Sequence, residues 1–310
     1  TTNVYSIYDG KFVRTVSANL GMSYSICNVL REAGVRNILQ WIPFDIKEEE
    51  LINTLSNKMI RPTTIPQTLE ELIIEHAVAR EALRLGFQHH KFLARGLRGV
   101  RPEITIADVF EQKVPLESYI DMFNVHVIGG TGGLLSHAPR RVQSAVILID
   151  GFQPEGVTKL IQDSVFMMPH LGVLSTVYPE IALEIFMKDC LVMLGTCIAP
   201  RGIEEEGEEM LKVELKMPDG EVKTESLSFG QIKRVELQVG EVAEARITPS
   251  KKCDVGVGRG RTLTTKIEGG VAGIIIDARG RPITLPQDRM ERKRTLVKWF
   301  TDLNMYPEKF

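Results

Sequence analysis

The sequence predicts an α/β lobe that is followed by an all-β module and a C-terminal helix. The first observation is a strand, a glycine-rich loop and a helix in succession over residues 125–150. Strand-like and helical segments continue to alternate afterwards, which is typical of α/β folds. Near the end of the chain, short apolar–polar alternations recur between turn signals and indicate many short strands. We therefore expect three parts, at residues 1–203, 204–286 and 287–310.

The chain begins with a predicted hairpin and two short helices. The segments on both sides of Asp9-Gly10 within residues 2–18 are strand-like, and this pair favours a tight hairpin turn. Helical periodicity then covers residues 22–33 and ends at Gly34. A second helix is expected from Glu48 to about Lys58, because its acidic first turn suits the positive end of a helix dipole.

The longest predicted helix follows a connector. Residues 61–66 contain two prolines and cannot continue a helix. The helix then runs from Thr68 to about His90, with apolar residues mostly on one side. Thr68 and Glu71 have the spacing of a capping box, which fixes its start.

A glycine-rich loop is the most informative feature of the chain. Val125, Val127 and Ile128 suit a buried strand, and a helix is expected to open at Ala138-Pro139. Glycine allows positive φ angles and lets a ligand approach the backbone closely. The pattern is typical of a nucleotide cradle, while a tight turn without a ligand is the alternative. The loop consists of Gly129, Gly130, Thr131, Gly132 and Gly133.

The rest of the α/β lobe alternates between strand and helix. Residues 157–175 are strand-like and are expected to be interrupted at Pro169. A helix is predicted for residues 178–190, and a buried segment then ends at Pro200. The acidic run after position 203 is typical of a solvated linker. Strands are predicted throughout residues 208–286, and an amphipathic helix at about 288–303.

Composition limits the classes of function. The net charge is −2, so electrostatics give no case for nucleic acid or a membrane surface as a partner. No apolar run is long enough to cross a bilayer. The four cysteines are far apart in sequence, which favours reduced thiols in a cytoplasmic protein without a zinc site. Because the chain opens directly into a strand pattern at Thr1, we expect it to be part of a longer protein.

Several polar side chains are candidates for chemistry, each with a structural alternative. We expect Ser136 to cap the following helix, with ligand contact by His137 as the less favoured role. His170 is expected in the core, and the adjacent His89-His90 point in different directions, which disfavours a metal pair. Two further groups of side chains each have two interpretations. They could bind a phosphate, a water molecule or a metal ion, or they could lie in ordinary turns with solvated arginines. These groups are Asp150, Asp163 and Asp277, and Arg259, Arg261, Arg279 and Arg281.

Three long segments resemble a known family. FNVHVIGGTGGLLSHAPRR, LIDGFQPEGVTKLIQDSVFMMPHLGVLS and GGVAGIIIDARGRPITLP are similar to the MutL family associated with adenosylcobalamin-dependent glutamate mutase and related aminomutases. This family is unrelated to mismatch repair. The resemblance implies a ribonuclease-H-like lobe of the actin-like ATPase superfamily, a cytoplasmic location and possible homo-oligomers. It also implies an ATP-dependent chaperone that releases damaged cobalamin from the mutase, without binding cobalamin directly.

By that resemblance, the glycine loop matches the adenosine motif, and Thr1 and Thr2 match the tail of the second phosphate motif. The aspartate and glycines that should precede Thr1 are absent, as is the first lobe. Phosphoryl transfer needs charge neutralisation from several sides. We therefore predict an ATPase using ATP and Mg2+ in the parent protein. This chain should bind nucleotide weakly or not at all, and should not hydrolyse it.

Three other functions stay open on the sequence. A small-molecule kinase of the same superfamily would need an acidic base, which is unassigned here. A hydantoinase- or oxoprolinase-like hydrolase would need paired acids or a metal cluster, which the sequence does not indicate. A non-enzymatic scaffold would use the glycine loop only as a turn.

Overall fold

The computed structural model describes residues 1–94 and 120–307 and confirms the predicted mixture of helices, several sheets and a C-terminal helix. In these ranges, none of the helices has the length and apolar content that crossing a bilayer requires. The strands are β1 Thr2–Tyr8, β2 Lys11–Ser17, β3 Val127–Gly130, β4 Gly156–Asp163, β5 Leu191–Ala199, β6 Glu209–Lys216, β7 Val222–Ser228, β8 Gln231–Val235, β9 Val242–Pro249, β10 Leu263–Glu268 and β11 Gly273–Ala278.

The helices follow the predicted order, with short additions. The turns at Met122–Asn124 and Phe186–Cys190 are 3-10 and π-helical, respectively. The α-helices are α1 Ile26–Ala33, α2 Val35–Leu39, α3 Glu48–Ile60, α4 Leu69–Leu93, α5 Gly133–Ser136, α6 Arg141–Phe152, α7 Met168–Leu174, α8 Pro179–Ile185 and α9 Arg289–Asp302.

A five-stranded mixed sheet forms the centre of the molecule. Its strand order is β3-β4-β5-β11-β8, with β3 parallel to β4 and β11 parallel to β5. The prediction placed β8 and β11 in a separate β module, but both strands complete this sheet instead. The reason is burial: every residue of β11 is buried, so this strand needs neighbours and cover on both faces.

The remaining predicted strands form a four-stranded antiparallel sheet with the order β10-β9-β6-β7. This sheet covers one face of the five-stranded sheet, and helices cover the other. Alternation along β11 shows the division: Ile275 lies in the core shared with the helices, and Ile274 and Ile276 lie in the core shared with the second sheet. The described residues thus form three layers.

Helix α4 is the central helix of the helical layer. It packs against both strands of the hairpin and against α6. Its start is as predicted, because the Thr68 hydroxyl accepts the Glu71 N–H at 3.1 Å. The Glu71 carboxylate accepts the N–H of Gln67, at 2.6 Å, so the reciprocal bond lies one residue before the expected one.

Three local predictions are wrong. Val127 is 47% exposed rather than buried. Helix α6 begins at Arg141, because the segment after the glycine loop first forms the separate short helix α5. Pro169 lies in the first turn of α7 instead of interrupting a strand, since β4 already ends at Asp163 and proline is well suited to a helix start.

Candidate functional site

The glycine loop joins β3 to the short helix α5. Gly132 has φ +104°, in the left-handed region that favours glycine. Gly130 is buried, and a Cβ at this position would lie 2.9 Å from the Leu135 side chain and 3.1 Å from that of Leu148. A Cβ on Gly133 would meet no atom within 4 Å. Close packing therefore needs glycine at 130, whereas position 133 faces open space.

Asp163 holds the glycine loop in place from the end of the neighbouring strand. Its carboxylate accepts the Thr131 hydroxyl at 2.9 Å and the N–H of Met168 at 2.8 Å. Burial by itself would raise the pKa of Asp163, but these bonds and those from Met167 and Val165 together lower it. Asp163 is therefore a structural anion that ties the loop to α7.

A cleft of about 690 Å3 lies beside the glycine loop. One wall is the connector between α3 and α4 with the first turns of α4, and the other is α5 with the residues that follow it. This volume lies in the range of small-molecule sites, and the lining is mostly apolar. The residues that carry its chemistry are Lys58, Glu75, His76, Gly133 and His137.

The charged groups of the cleft neutralise each other. Lys58 Nζ lies 2.7 Å from a Glu75 carboxylate oxygen, and both side chains are largely buried. Lys58 also donates to the carbonyl of Thr64 in the connector. Burial raises the pKa of Glu75, and the bond from Lys58 opposes this shift. The pair links α3, α4 and the connector at one wall.

His76 supplies a neutral imidazole beside this pair. Its Nδ1 lies 2.7 Å from the Tyr306 hydroxyl, which comes from the far end of the chain. Burial, and then the positive charge of Arg80, lower the pKa of His76 to about 3. Burial raises the pKa of Tyr306 to about 12. Both groups are therefore uncharged near neutral pH.

The charges of the cleft do not suit a triphosphate. Lys58 is the only lysine or arginine among the described residues that line it, and Glu75 already neutralises this ammonium. Triphosphate groups require several unpaired donors and cations. In residues 1–94 and 120–307, no group of three His, Cys, Asp or Glu side chains is placed to hold a metal ion. An uncharged base and sugar suit the apolar walls, but phosphates do not.

Of the seven residues predicted to contact a nucleotide, one lines the cleft and six do not. Gly133 lines the cleft, while Gly130 is packed beneath the loop. Thr2 donates its hydroxyl to the carbonyl of Leu20 at 2.6 Å, two residues before the cleft residue Met22. Thr1 lies against Gly21. Thr1, Thr2, Gly129, Gly130, Thr131 and Gly132 do not line the cleft.

Ser136 and the histidines differ in part from expectation. Ser136 donates to the carbonyl of Asp163 at 2.5 Å, so it braces the loop and does not cap the next helix. His137 lines the cleft. His170 is exposed, so the core position predicted for it is wrong. The ring nitrogens of His89 and His90 bond to hydroxyls of the hairpin strands.

The acidic and basic candidates near β11 form a buried ionic cluster. Asp150, inside α6, lies 2.6 Å from Arg80 Nε and 2.8 Å from Arg279 Nη2. Asp277 accepts from Arg279 at 2.8 Å and Arg281 at 2.9 Å. Burial alone would raise the pKa of Asp277, but the two guanidinium groups lower it far below its usual value.

This ionic cluster corrects two predictions. Asp150 lies inside α6 and is not a turn acid. Asp277 does act as a turn acid, because its carboxylate accepts the N–H of Arg279 at 3.1 Å, but it also pairs with buried arginines. Arg279 and Arg281 are neither solvated nor free to grip a phosphate. Their charges satisfy each other away from water. Arg259 and Arg261 stay exposed. Of the four arginines expected to form a basic surface, two are therefore buried and two are exposed.

No pattern in the sequence marked the polar groups of the cleft. Lys58, Glu75 and His76 lie on two helices whose pairing was unknown, and Tyr306 lies 230 positions after His76. The two prolines of the connector were the available signal, because they force the chain to turn at the place where the cleft forms.

Comparison with known proteins gives one family. Residues 1–190, more than half of the chain, match the family model described as MutL protein. A relative named Protein MutL, from Clostridium tetanomorphum, is 24% identical over 212 residues, which are 61% of this chain and 42% of the relative. The chain thus spans less than half the length of this curated relative. No solved structure matches the chain.

Proposed function

The chain belongs to the MutL protein family, and from that premise we propose that it forms the nucleotide-binding part of an ATP-dependent reactivating chaperone. The proposed partner is an adenosylcobalamin-dependent glutamate mutase or a related aminomutase, from which the chaperone releases damaged cobalamin. The observation that carries the proposal is the cleft beside the glycine loop, with Gly133 on its wall. An actin-like, ribonuclease-H-like lobe is part of the same proposal.

In this proposal, the cleft binds only the nucleoside part of ATP. The nucleoside part of ATP packs against the apolar walls, and Gly133, at the end of the braced glycine loop, adds a stretch of wall without side-chain bulk. Phosphates and Mg2+ need groups that the described residues of the cleft do not supply, so we expect no hydrolysis by this chain. ATP acts on the mutase only if two states of the chaperone differ in affinity for it.

The test of the proposal is calorimetric titration of ADP and ATP·Mg into this chain and into the Clostridium tetanomorphum Protein MutL. We expect clear binding by the relative, weak binding by the chain, and phosphate release by the relative alone. A mutase carrying damaged cobalamin should then regain activity only with ATP and the relative. Absence of nucleotide binding by both proteins would contradict the proposal and favour a scaffold.

A pair of glycine variants tests the location of the site. Gly133→Val puts a side chain at the cleft wall, in space that is open in the structure. Gly172→Val is the matched control, because Gly172 also lies in a short helix with no atom within 4 Å of a Cβ, but outside the cleft residues. We expect loss of nucleotide binding only in the first variant. Equal binding by both variants would place the site elsewhere.

A further inference from the structure

We propose that residues 164–190, which we call the arm, are a dimerisation surface and pack against the same residues of a second copy of this chain. The arm joins β4 to β5 and contains α7, α8 and the π-helical turn. It shares no residue with the cleft, so the inference does not rest on the proposed function.

The arm is much longer than the connection between its two strands requires. Strands β4 and β5 are antiparallel neighbours, and Asp163 at the end of β4 lies opposite Leu191 at the start of β5. Turns of about two to five residues join such strands. Long insertions at a site where a short turn would suffice are typical of functional segments.

The arm exposes apolar side chains instead of burying them. Within it, only Leu171, Ala182 and Cys190 are buried. Helices α7 and α8 pack mainly against each other and against the π-helical turn. Large exposed apolar surfaces mark interaction sites. Six large apolar side chains of the arm are each more than half exposed, namely Val173, Val177, Tyr178, Ile181, Leu183 and Met187.

The base of the arm is fixed by hydrogen bonds and holds an aromatic ring at the surface. Ser164 donates both its N–H and its hydroxyl to the carbonyl of Cys190, each at 2.9 Å. Asp163 accepts the N–H groups on both sides of Phe166, which has a φ of +58° that bulky residues rarely adopt. Phe166 is still 46% exposed, so burial within this chain does little to offset the backbone strain. A preorganised arm also loses little conformational freedom on association.

The exposed area is that of a stable dimer interface. A large side chain presents on the order of 200 Å2 when fully exposed, so Phe166 and the six other residues present about 800 Å2. A standard specific interface takes about 800 Å2 from each partner, whereas the largest apolar patch of a typical monomer is about 300–600 Å2. The arm is therefore large enough to form an interface without other parts of the chain.

The charges of the arm favour a second copy as the occupant. Residues 164–179 contain no Asp, Glu, Lys or Arg, so two such segments meet without desolvating a charge. Glu180, Glu184 and Lys188 are exposed, and none of them has an ion-pair partner in the part of the chain that the structure describes. A surface with both signs of charge unpaired is complementary to itself. Interfaces between identical subunits are also more apolar than those of transient complexes.

Sedimentation velocity of the 310-residue chain tests the inference. We expect a dimer with a dissociation constant of about 10 µM or below. Val173→Glu and Leu183→Glu change exposed residues, so folding is preserved, and each should weaken dimerisation by at least about a hundredfold. Ile7→Glu is the matched control, because Ile7 is also exposed but lies on β1, outside the arm. This variant should dimerise like the native chain.

Hydrogen exchange of the native chain gives a second measurement that needs no variant. Amides of residues 173–187 should exchange more slowly in concentrated than in dilute solution, while the hairpin amides stay unchanged. A native chain that is monomeric at about 100 µM, or arm variants that dimerise as the native chain does, would overturn the inference. A monomer that binds a mutase through the arm would also overturn it and assign the surface to that partner. None of these outcomes involves a nucleotide, so a failure here leaves the proposed function intact.

Discussion

The glycine loop at residues 129–133 and the basic segment at residues 253–281 are alike in sequence and opposite in structure. Both combine glycines with groups that bind phosphates in other proteins. The loop lies at the surface beside a cleft, fixed by hydrogen bonds that involve one structural anion, Asp163. The basic segment instead places Arg279 and Arg281 in the interior, against Asp277.

The difference shows that an arginine is available to a ligand only where no acid of the chain reaches it first. Asp277 is two and four residues before Arg279 and Arg281, and the turn after β11 brings all three together. Near the glycine loop, the carboxylate of Asp163 accepts hydrogen bonds from hydroxyl and N–H groups instead, and these bonds do not involve a lysine or an arginine. Glycine content alone does not distinguish these two cases.

The strongest test of the comparison removes the acid of the ionic cluster. Asp277→Asn leaves Arg279 and Arg281 buried with a neutral partner, and we expect the free energy of unfolding to fall by about 3–5 kcal/mol. The matched control is Glu244→Gln, whose exposed pair with Lys216 is 3.8 Å long and should cost less than about 0.5 kcal/mol. Urea unfolding measures both. Equal costs would mean that the ionic cluster is not tightly paired in solution.

As the pH falls, the contribution of the cleft to stability should decline before that of the ionic cluster. The pKa of His76 is about 3 in the folded chain and near its ordinary 6.5 when unfolded. The unfolded state therefore takes up the proton first, and stability falls as pH drops from about 6.5 towards 3, by at most about 1.4 kcal/mol per pH unit. The lowered pKa of Asp277 keeps its carboxylate charged throughout this window. Its own contribution declines only below about pH 4, where an unfolded aspartate takes up a proton.

Urea unfolding of the native chain and His76→Gln at several pH values checks this order. Glutamine has no charge to gain, so the variant should lose less stability between pH 6.5 and 4. The pKa of His90 is also lowered, by burial, and this histidine contributes equally to both proteins. Identical slopes for the two proteins would contradict a neutral, buried His76.

Within the glycine loop, two neighbouring glycines should respond differently to the same substitution. Gly130→Val forces a side chain against Leu135 and Leu148, and overpacking of this kind costs about 1–3 kcal/mol. Gly133→Val meets open space and should change stability much less while it obstructs the cleft. Thermal unfolding of both variants is the measurement. A larger loss at position 133 would show that the loop is packed differently from the structure.

The smallest expected effect concerns the bond between the loop and Asp163. Thr131→Val removes the hydroxyl that donates at 2.9 Å and should cost about 1 kcal/mol. Thr131→Ser keeps the hydroxyl and is the control. Hydrogen exchange at Gly132 and Gly133 should accelerate only in the valine variant. Unchanged exchange in that variant would mean that Asp163 does not hold the loop.

Local patterns predicted local structure well. Asp9-Gly10 marked the hairpin, and Thr68 with Glu71 marked the start of α4, because turns and caps depend on residues a few positions apart. The glycine loop was also found between its strand and a helix. The pairing of β11 with β5 and the contact of His76 with Tyr306 join distant positions, and no short pattern encodes them. The polar half of the cleft was therefore missed.

The strand order of the central sheet has a consequence for synthesis on the ribosome. Strand β5 ends at Ala199, but its parallel neighbour β11 ends only at Ala278. At about 5–20 residues per second, the edge of β5 stays without its partner for about 4–16 s after it is made. The buried residues of β5 are exposed during that interval, so this edge is where a nascent chain would need protection from aggregation.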